Sequence, residues 1–356
     1  MPDATRTNQS GALHSDRSQG YPTRRRVLRI VAAAAGLPLM IAGVRASAPK
    51  GQLFNWQGEV LGAVSQLTLW HTDAAFAHAT ILKVRLEIER FERIFSLYRP
   101  QSEISRLNAS GKLIKPSPEL RDLVEESQRL GRLSGGSFDI SVQPLWRLYE
   151  AHFWLHTKVQ QDIAAKARDV ARALVDFRQI DSGTAAIGFT RTGMAITLNG
   201  IAQGFITDAI ADMLRNEGFE SAVVDLGEYR TIGHHPDNRP WRVGIRNGKA
   251  PGTVGHSVEL EDMALAVSGG YGTTFDASGH FHHIFDPQTG ASANNLVDVA
   301  VIGPRATEAD GLATAICVAG EARAPTLLAA YPRTRAILTR LDGRSVTFTA
   351  KGPVTA

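Results

Sequence analysis

The sequence predicts a mixed α/β (α+β) fold in one compact unit, and three observations carry that expectation. Hydrophobic residues make up 43% of the 356-residue chain and charged residues 21%, enough apolar side chain to build a sizeable core. Segments with apolar residues at helical spacing alternate with short strand-like runs. The 33 glycines and 16 prolines punctuate these as turns, and no internal repeat or long low-complexity linker divides the chain into modules.

In order, Gln66–Leu69 reads as a strand. Ala74–Phe95 reads as a helix, with Ile81, Val84, Ile88 and Phe91 on one face. Ser117–Leu133 is a second helix, with Pro118 in its first turn and Gly135-Gly136 past its end. Asp162–Leu174 is a third, followed by strand-like pieces at Ala185–Thr190 and Met194–Leu198. A helix from Gly204 to Glu217 leads to strands at Ser221–Leu226, Trp241–Ile245, Ala264–Ser268, His282–Phe285 and Val297–Ile302. Helices at Ala309–Ala319 and Pro325–Ala330 and strands at Ala336–Arg340 and Val346–Ala350 complete the order.

The first 48 residues stand apart. Of the 39 basic and 35 acidic residues, seven and two fall in 1–48, leaving 32 against 33 in the remainder. The basic character therefore belongs to the leader, and nothing in 49–356 calls for a nucleic-acid partner. Arg24-Arg25-Arg26 precedes an uncharged apolar run, Ile30–Val44, of 15 residues, and Ala46-Ser47-Ala48 follows it. A charged start, a short apolar stretch and an A-x-A end make a secretory signal, with the domain at 49–356. A run this short, broken by Pro38, cannot span about 30 Å of hydrocarbon. Paired arginines between Thr23 and Val27-Leu28-Arg29 resemble a twin-arginine (Tat) signal, which places the domain in the periplasm. A Sec signal or an uncleaved anchor is the alternative. Cys317 is the only cysteine, so disulfides and cysteine-based metal sites are excluded, and it reads as a small core residue.

Five segments carry more Gly, Asp, His and Thr than a core needs. The first runs from Phe95-Ser96-Leu97-Tyr98 through Ser102-Glu103 to Asn108, which alone reads as a helix end and turn with Asn108 as a cap. In Gly135-Gly136-Ser137-Phe138-Asp139-Ile140, paired glycines let backbone approach a flat ligand and Asp139 can accept from its donors. Read blandly, it is a turn before a strand that Asp139 caps. Thr197-Leu198-Asn199-Gly200-Ile201-Ala202-Gln203-Gly204 is a strand, turn and helix start, where unpaired N–H groups suit an anion. It is neither a Rossmann nor a Walker loop. Ser268-Gly269-Gly270-Tyr271 precedes Gly279-His280-Phe281-His282-His283-Ile284-Phe285-Asp286-Pro287. There His283 lies on a strand before an Asp-Pro turn and can titrate near neutrality. A zinc site at His280, His282 and His283, or a purely structural His pair, are the rival readings. In Thr307–Ala315, Asp310 and Thr314 share a helix face, a carboxylate and hydroxyl that suit a hard cation. Asp310 as a helix N-cap is the plainer reading.

In order and spacing these segments, from about Leu67 to Gly320, resemble the motifs of the ApbE-type FAD:protein FMN transferases. The resemblance implies a single T-fold-like flavin transferase domain with FAD in a central cleft. It implies Mg²⁺ held by Asp310, Thr314 and the Gly200 carbonyl, and His283 as base for an incoming threonine or serine hydroxyl. Asn108, Ser137, Phe138, Asp139, Thr197, Gln203 and Ile284 would contact FAD. Trp70 would too, in a Trp70-His71-Thr72 stretch occupying the family's M-G-T. The chain departs from the pattern at Thr197, where the family has Asp, and at Gln203, where it has Lys. It departs again at Asp225-Leu226-Gly227-Glu228, one glycine short of N-x-G-G-D. The implied partner is an acceptor flavoprotein, and a respiratory membrane protein is one candidate, because exported members include one serving nitrous oxide respiration. The rival classes are a periplasmic FAD-binding or FAD-hydrolysing relative and a non-enzymatic assembly factor.

Replacing Arg24 and Arg25 together with Lys should hold unprocessed precursor in the cytoplasm, checked by fractionation and immunoblotting. Undiminished periplasmic protein would assign the leader to Sec.

Overall fold

The computed structural model describes residues 51–155, 162–250 and 252–354, so the leader at 1–48 lies outside the described residues. Strands β1 (Gln52–Val60) and β2 (Ala63–His71) form a hairpin closed by Leu61-Gly62. Both turn residues have positive φ, 49° and 86°, the geometry that matches the twist of a two-residue hairpin. Leucine rarely adopts it. Here the Leu61 side chain is buried in the core, and its N–H donates to Glu92 Oε1 at 2.6 Å.

Helix α1 (Ala74–Phe95) starts at Asp73, whose carboxylate accepts from the Phe76 N–H, and buries the expected apolar stripe. Ser102 caps α2 (Glu103–Ser110) in the same way, and β3 (Lys112–Ile114) follows. Ser117 caps α3 (Pro118–Leu133), and α4 (Gln143–Leu155) and α5 (Ala165–Arg172) follow it. Strands β4 (Ile180–Ser182) and β5 (Ala186–Phe189) join β3 in a small sheet in the order β3-β5-β4.

The second half supplies α6 (Ala202–Asn216), β6 (Ala222–Asp225), β7 (Tyr229–Ile232), β8 (Trp241–Arg246), β9 (Val254–Leu260) and β10 (Ala264–Gly269). After a long connection come β11 (Asp298–Gly303), α7 (Ala306–Ala319), α8 (Ala324–Ala329), β12 (Arg335–Thr339), β13 (Ser345–Thr349) and β14 (Gly352–Val354). Nine strands make one sheet in the order β1-β2-β6-β7-β10-β11-β12-β13-β14, every neighbouring pair antiparallel.

Both faces of the sheet centre are covered. Along β10 and β11, Ala266, Val299 and Val301 face the main core that α1, α6 and α7 close. Leu265, Val267, Ala300 and Ile302 face the opposite way, against the β8–β9 ribbon. No helix among the described residues is long and apolar enough to cross a membrane.

Two expected strands are absent. Met194–Leu198 is largely buried but forms no strand, and side chain and loop satisfy its backbone. The Asn108 amide donates to Ile196 O at 2.8 Å and accepts the Ile196 N–H at 2.7 Å, while the Thr197 N–H reaches Ile140 O. His282–Phe285 makes only isolated bridges, His282 with Thr274 and Phe285 with Ser292. Asp139 caps a 3₁₀ turn at Ile140–Val142 that runs into α4, not a strand.

The helices that floor the molecule, α6 and α7, have no side-chain cap of their own. They cap each other. Asp310 of α7 accepts the Gly204 N–H of α6 at 3.0 Å. Asp208 of α6 accepts the Ala306 and Thr307 N–H groups of α7, each at 2.9 Å, and the Thr307 hydroxyl. Asp208 is also ion-paired to Arg230 and Arg305, and both Asp208 and Arg230 are buried.

Asp208→Ala would leave the buried Arg230 only its longer contact with Asp212, at 3.6 Å, and orphan two N–H groups. The expected loss is about 3–5 kcal/mol of unfolding free energy, read by denaturant titration. A loss below about 1 kcal/mol would show that the reciprocal capping is dispensable.

Candidate active site

The N-terminal end of α6, one face of α7, the turn after β6, the end of β10 and the 270–297 connection converge on a cleft. Of the residues singled out in the sequence, Ser137, Phe138, Asp139, Thr197, Gly200 and Gln203 line it. So do His283, Ile284, Asp310 and Thr314. Segments far apart in the chain are therefore brought to one space.

Two residues are placed elsewhere. Trp70 ends β2 beyond the Leu69↔Ala222 pairing, whereas the turn that reaches the cleft leaves the other end of β6, at Asp225 opposite Gln66. Its indole packs on Gly51, so Trp70 belongs to the hairpin end rather than to the cleft. Asn108 stands behind the wall, holding the 194–198 segment by the Ile196 clamp and lining nothing itself.

Asp139 lines the cleft but has little left to offer a ligand. One oxygen accepts the Ser141 N–H and hydroxyl and the other accepts the Phe177 N–H at 3.0 Å. The helix-start cradle is likewise engaged in part. The Asn199 N–H bonds Thr197 Oγ1, those of Ile201 and Ala202 bond Leu198 O, and that of Gly204 is taken by Asp310.

The oxygen donors form a tight set. A Cβ on Gly200 would lie 3.1 Å from Thr314 Oγ1, so that backbone and hydroxyl are in contact, and Ser268 Oγ lies 3.0 Å from the same hydroxyl. Asp310 is an interior residue of α7, buried, with one carboxylate oxygen on Gly204. It is therefore not the N-cap of its own helix. Carbonyl, hydroxyl and carboxylate oxygens fit a hard cation such as Mg²⁺ and would hold it with its own water or ligand oxygens.

Glu228 joins this set without having been singled out. It is buried, accepts the Val267 N–H at 3.1 Å, and lies close enough to Asp310 to feel its charge. Burial raises both carboxyls above their ordinary range, and for Glu228 the Asp310 charge adds to it. Among the described residues the cleft lining contains no Lys or Arg. Gln203, where a lysine was expected from the resemblance, rests on Gly227. A Cβ there would sit 2.6 Å from the Gln203 amide carbon, and the φ of +104° also calls for glycine.

His283 Nδ1 lies 3.1 Å from Thr273 O, a pure acceptor, so this nitrogen carries the proton and Nε2 keeps its lone pair. Burial, then the neighbouring His282, lowers its pKa to about 4. At neutral pH it is an uncharged imidazole. His282 is also held near 4, mainly by burial, and its Nδ1 accepts the Ile284 N–H. Zinc is not supported. Among the described residues no group of three His, Cys, Asp or Glu side chains could hold a metal, and His280 and His282 share no strand.

This is the fold of a flavin transferase. The ApbE family profile matches residues 61–338, and the chain belongs to the ApbE family. A Treponema pallidum FAD:protein FMN transferase is 30% identical over 80% of this chain and 84% of its own length. A Vibrio cholerae FAD:protein FMN transferase is 31% identical over 66% of this chain and 72% of its own length. The structure of the flavin transferase ApbE from Vibrio cholerae superimposes with a TM-score of 0.70 at 26% identity, covering 83% of this chain and 97% of that one. The Pseudomonas stutzeri flavinyl transferase ApbE in its apo form shares the fold, also with a TM-score of 0.70, at 24% identity.

Asp310→Asn keeps an acceptor for the Gly204 N–H and removes the charge. Affinity for Mn²⁺, followed by its spin-resonance signal, should drop at least tenfold while the melting temperature changes little. Unchanged Mn²⁺ affinity would remove Asp310 from any cation site. Asp310→Ala, by contrast, should also cost stability, because it uncaps α6.

Proposed function

We propose that this enzyme moves the FMN half of FAD onto a threonine or serine hydroxyl of an acceptor protein and releases AMP, with Mg²⁺ in the cleft. The observation that carries this reading is the meeting, in one cleft, of an all-oxygen donor set with a neutral histidine whose Nε2 is free. The absence of Lys and Arg from the described lining supports the metal. A diphosphate brings two negative charges into a space that already holds Asp310 and Glu228, and a divalent cation is needed to offset them.

Mg²⁺, when bound by Asp310, Thr314 and the Gly200 carbonyl, would supply charge neutralisation for the diphosphate. The protein's own part is positioning and proton transfer. His283 Nε2 accepts the acceptor hydroxyl's proton as that oxygen attacks the FMN phosphorus. The bond from that phosphorus to the bridging oxygen breaks, and AMP leaves with the electron pair. The Thr273 carbonyl keeps the imidazole in the required tautomer and stabilises the imidazolium once it forms. With its leader read as a Tat signal, the domain would act in the periplasm on an exported or membrane acceptor such as a respiratory protein.

Incubating the 49–356 protein with FAD, Mg²⁺ and candidate acceptors should give covalent flavin on the acceptor. AMP release with no labelled acceptor would favour the FAD-hydrolysing alternative. His283→Ala should slow transfer about a hundredfold or more, with FAD affinity and melting temperature little changed. A normal rate in the stable variant would take His283 out of the mechanism. Because the base is inactive when protonated, the acid limb of kcat/KM at saturating Mg²⁺ should fall near pH 4 rather than near 6.5. A limb at 6.5 would contradict the buried, neutral imidazole.

A further inference from the structure

We propose that Trp146 is the stacking platform for the isoalloxazine ring of FAD. Trp146 lies in the first turn of α4, just past Pro144-Leu145, and lines the cleft half-buried. Its indole ring meets Phe275 edge-on at 5.3 Å and His283 at 6.1 Å, interplanar angles 72° and 73°. Those contacts fix the ring's orientation against a packed aromatic cluster of Tyr149, Phe153, Phe275 and Phe285. The indole N–H has no hydrogen-bond partner among the described residues, and it is not sealed from solvent. A large aromatic side chain held rigidly, with a free donor and accessible surface on a ligand cleft, is built to receive a flat ring.

The choice of flavin over adenine follows from which residues Trp146 accompanies. The oxygen donors are tied to the start of α6 and to the α7 face that packs on it, by the Gly200–Thr314, Ser268–Thr314 and Gly204–Asp310 contacts. Trp146 is tied instead to His283. In an in-line displacement the nucleophile and the leaving group lie on opposite sides of the phosphorus. A residue beside the base therefore borders the acceptor and the FMN half, and the departing AMP lies across the phosphorus from it. This step rests on His283 being the base, and on FAD occupying the cleft.

The test compares wild type, Trp146→Phe and Trp146→Leu in binding FAD, FMN and AMP, with the fluorescence of the bound flavin recorded. In wild type the stacked indole should quench bound flavin. Trp146→Leu should weaken FAD and FMN affinity about tenfold, leave AMP affinity unchanged and brighten the bound flavin, and Trp146→Phe should recover most of the affinity. Loss of AMP affinity with FMN affinity intact would overturn the proposal by assigning the ring to adenine. Wild-type-like affinities and fluorescence in Trp146→Leu would overturn it outright. Failure of the wild type to bind FAD would sink the cleft reading itself, which separates that failure from a wrong assignment of Trp146.

Discussion

The arrangement on which the cleft depends is the reciprocal capping of α6 and α7. A helix start leaves N–H groups without partners, and Ile201 and Arg305, at the N-cap positions, offer no side-chain acceptor. Each helix instead borrows a carboxylate from the other, Asp310 for Gly204 and Asp208 for Ala306 and Thr307. The exchange demands a close crossing. Gly204 permits it, because a Cβ there would lie 2.4 Å from the Ala306 carbonyl oxygen. The two helices thereby lock in register, and Gln203 in the first turn of α6 and Asp310 and Thr314 in the second and third turns of α7 are placed relative to Gly200 without a dedicated loop.

The two capping carboxylates meet opposite electrostatic surroundings. Asp208 is embraced by Arg230 and Arg305, with Asp212 completing a compensated network. Asp310 faces Glu228 and finds only the Gly204 N–H. The protein thus neutralises its structural acid internally and leaves its cleft acids to be compensated from outside. That asymmetry is hard to explain as packing, since an uncompensated buried pair of carboxyls destabilises a fold. It is readily understood if a cation and a polyanionic ligand complete the site. The same logic accounts for Gln203. Its amide lies over Gly227, where it can donate to a phosphate without adding charge.

Much of this was legible in the sequence, and the failures have physical causes. Helices α1, α3, α6 and α7 announce themselves through their apolar residues, helped by capping side chains before α1 and α3 and by glycines just past α3, α6 and α7. Helix α2 was missed because its eight residues carry only Ile104 and Leu107 inward, too few for a periodic signal. Met194–Leu198 looked like a strand because it is apolar, yet its hydrogen bonds come from a side chain on α2, which no local pattern reveals. Trp70 was misplaced because a motif match carries no register. The pairing of β2 with β6 decides which end of the strand reaches the cleft. Asp139 reads equally as a cap and as a ligand contact, because composition cannot show that Ser141 and Phe177 engage both its oxygens. Glu228 was visible only as a broken motif. Its significance needed the turn from β6 to β7 to be folded against Asp310.

The base and the oxygen donors come from different pieces of the chain, joined where the Asn295 amide donates to Val318 O of α7 at 3.0 Å. Asp310 and Thr314 are fixed by helix crossing, whereas His283 sits on an irregular connection held by individual bonds. Ser292 bridges both backbone groups of His282, the Asp286 carboxylate closes the Pro287–Gly290 turn, and Thr273 holds the imidazole. Behind this connection lies the aromatic cluster around Tyr149, while Ile284, Ala293 and Leu296 reach the main core. The sheet contributes to it only through the ends of β10 and β11, from which the connection departs and to which it returns. A regular strand at His282–Phe285 would have tied the histidine to the sheet's pleat and twist. An irregular segment clamped by side chains can instead point it at the cleft, at the cost of needing each clamp. The oxygen donors and the base are therefore held by different sets of clamps.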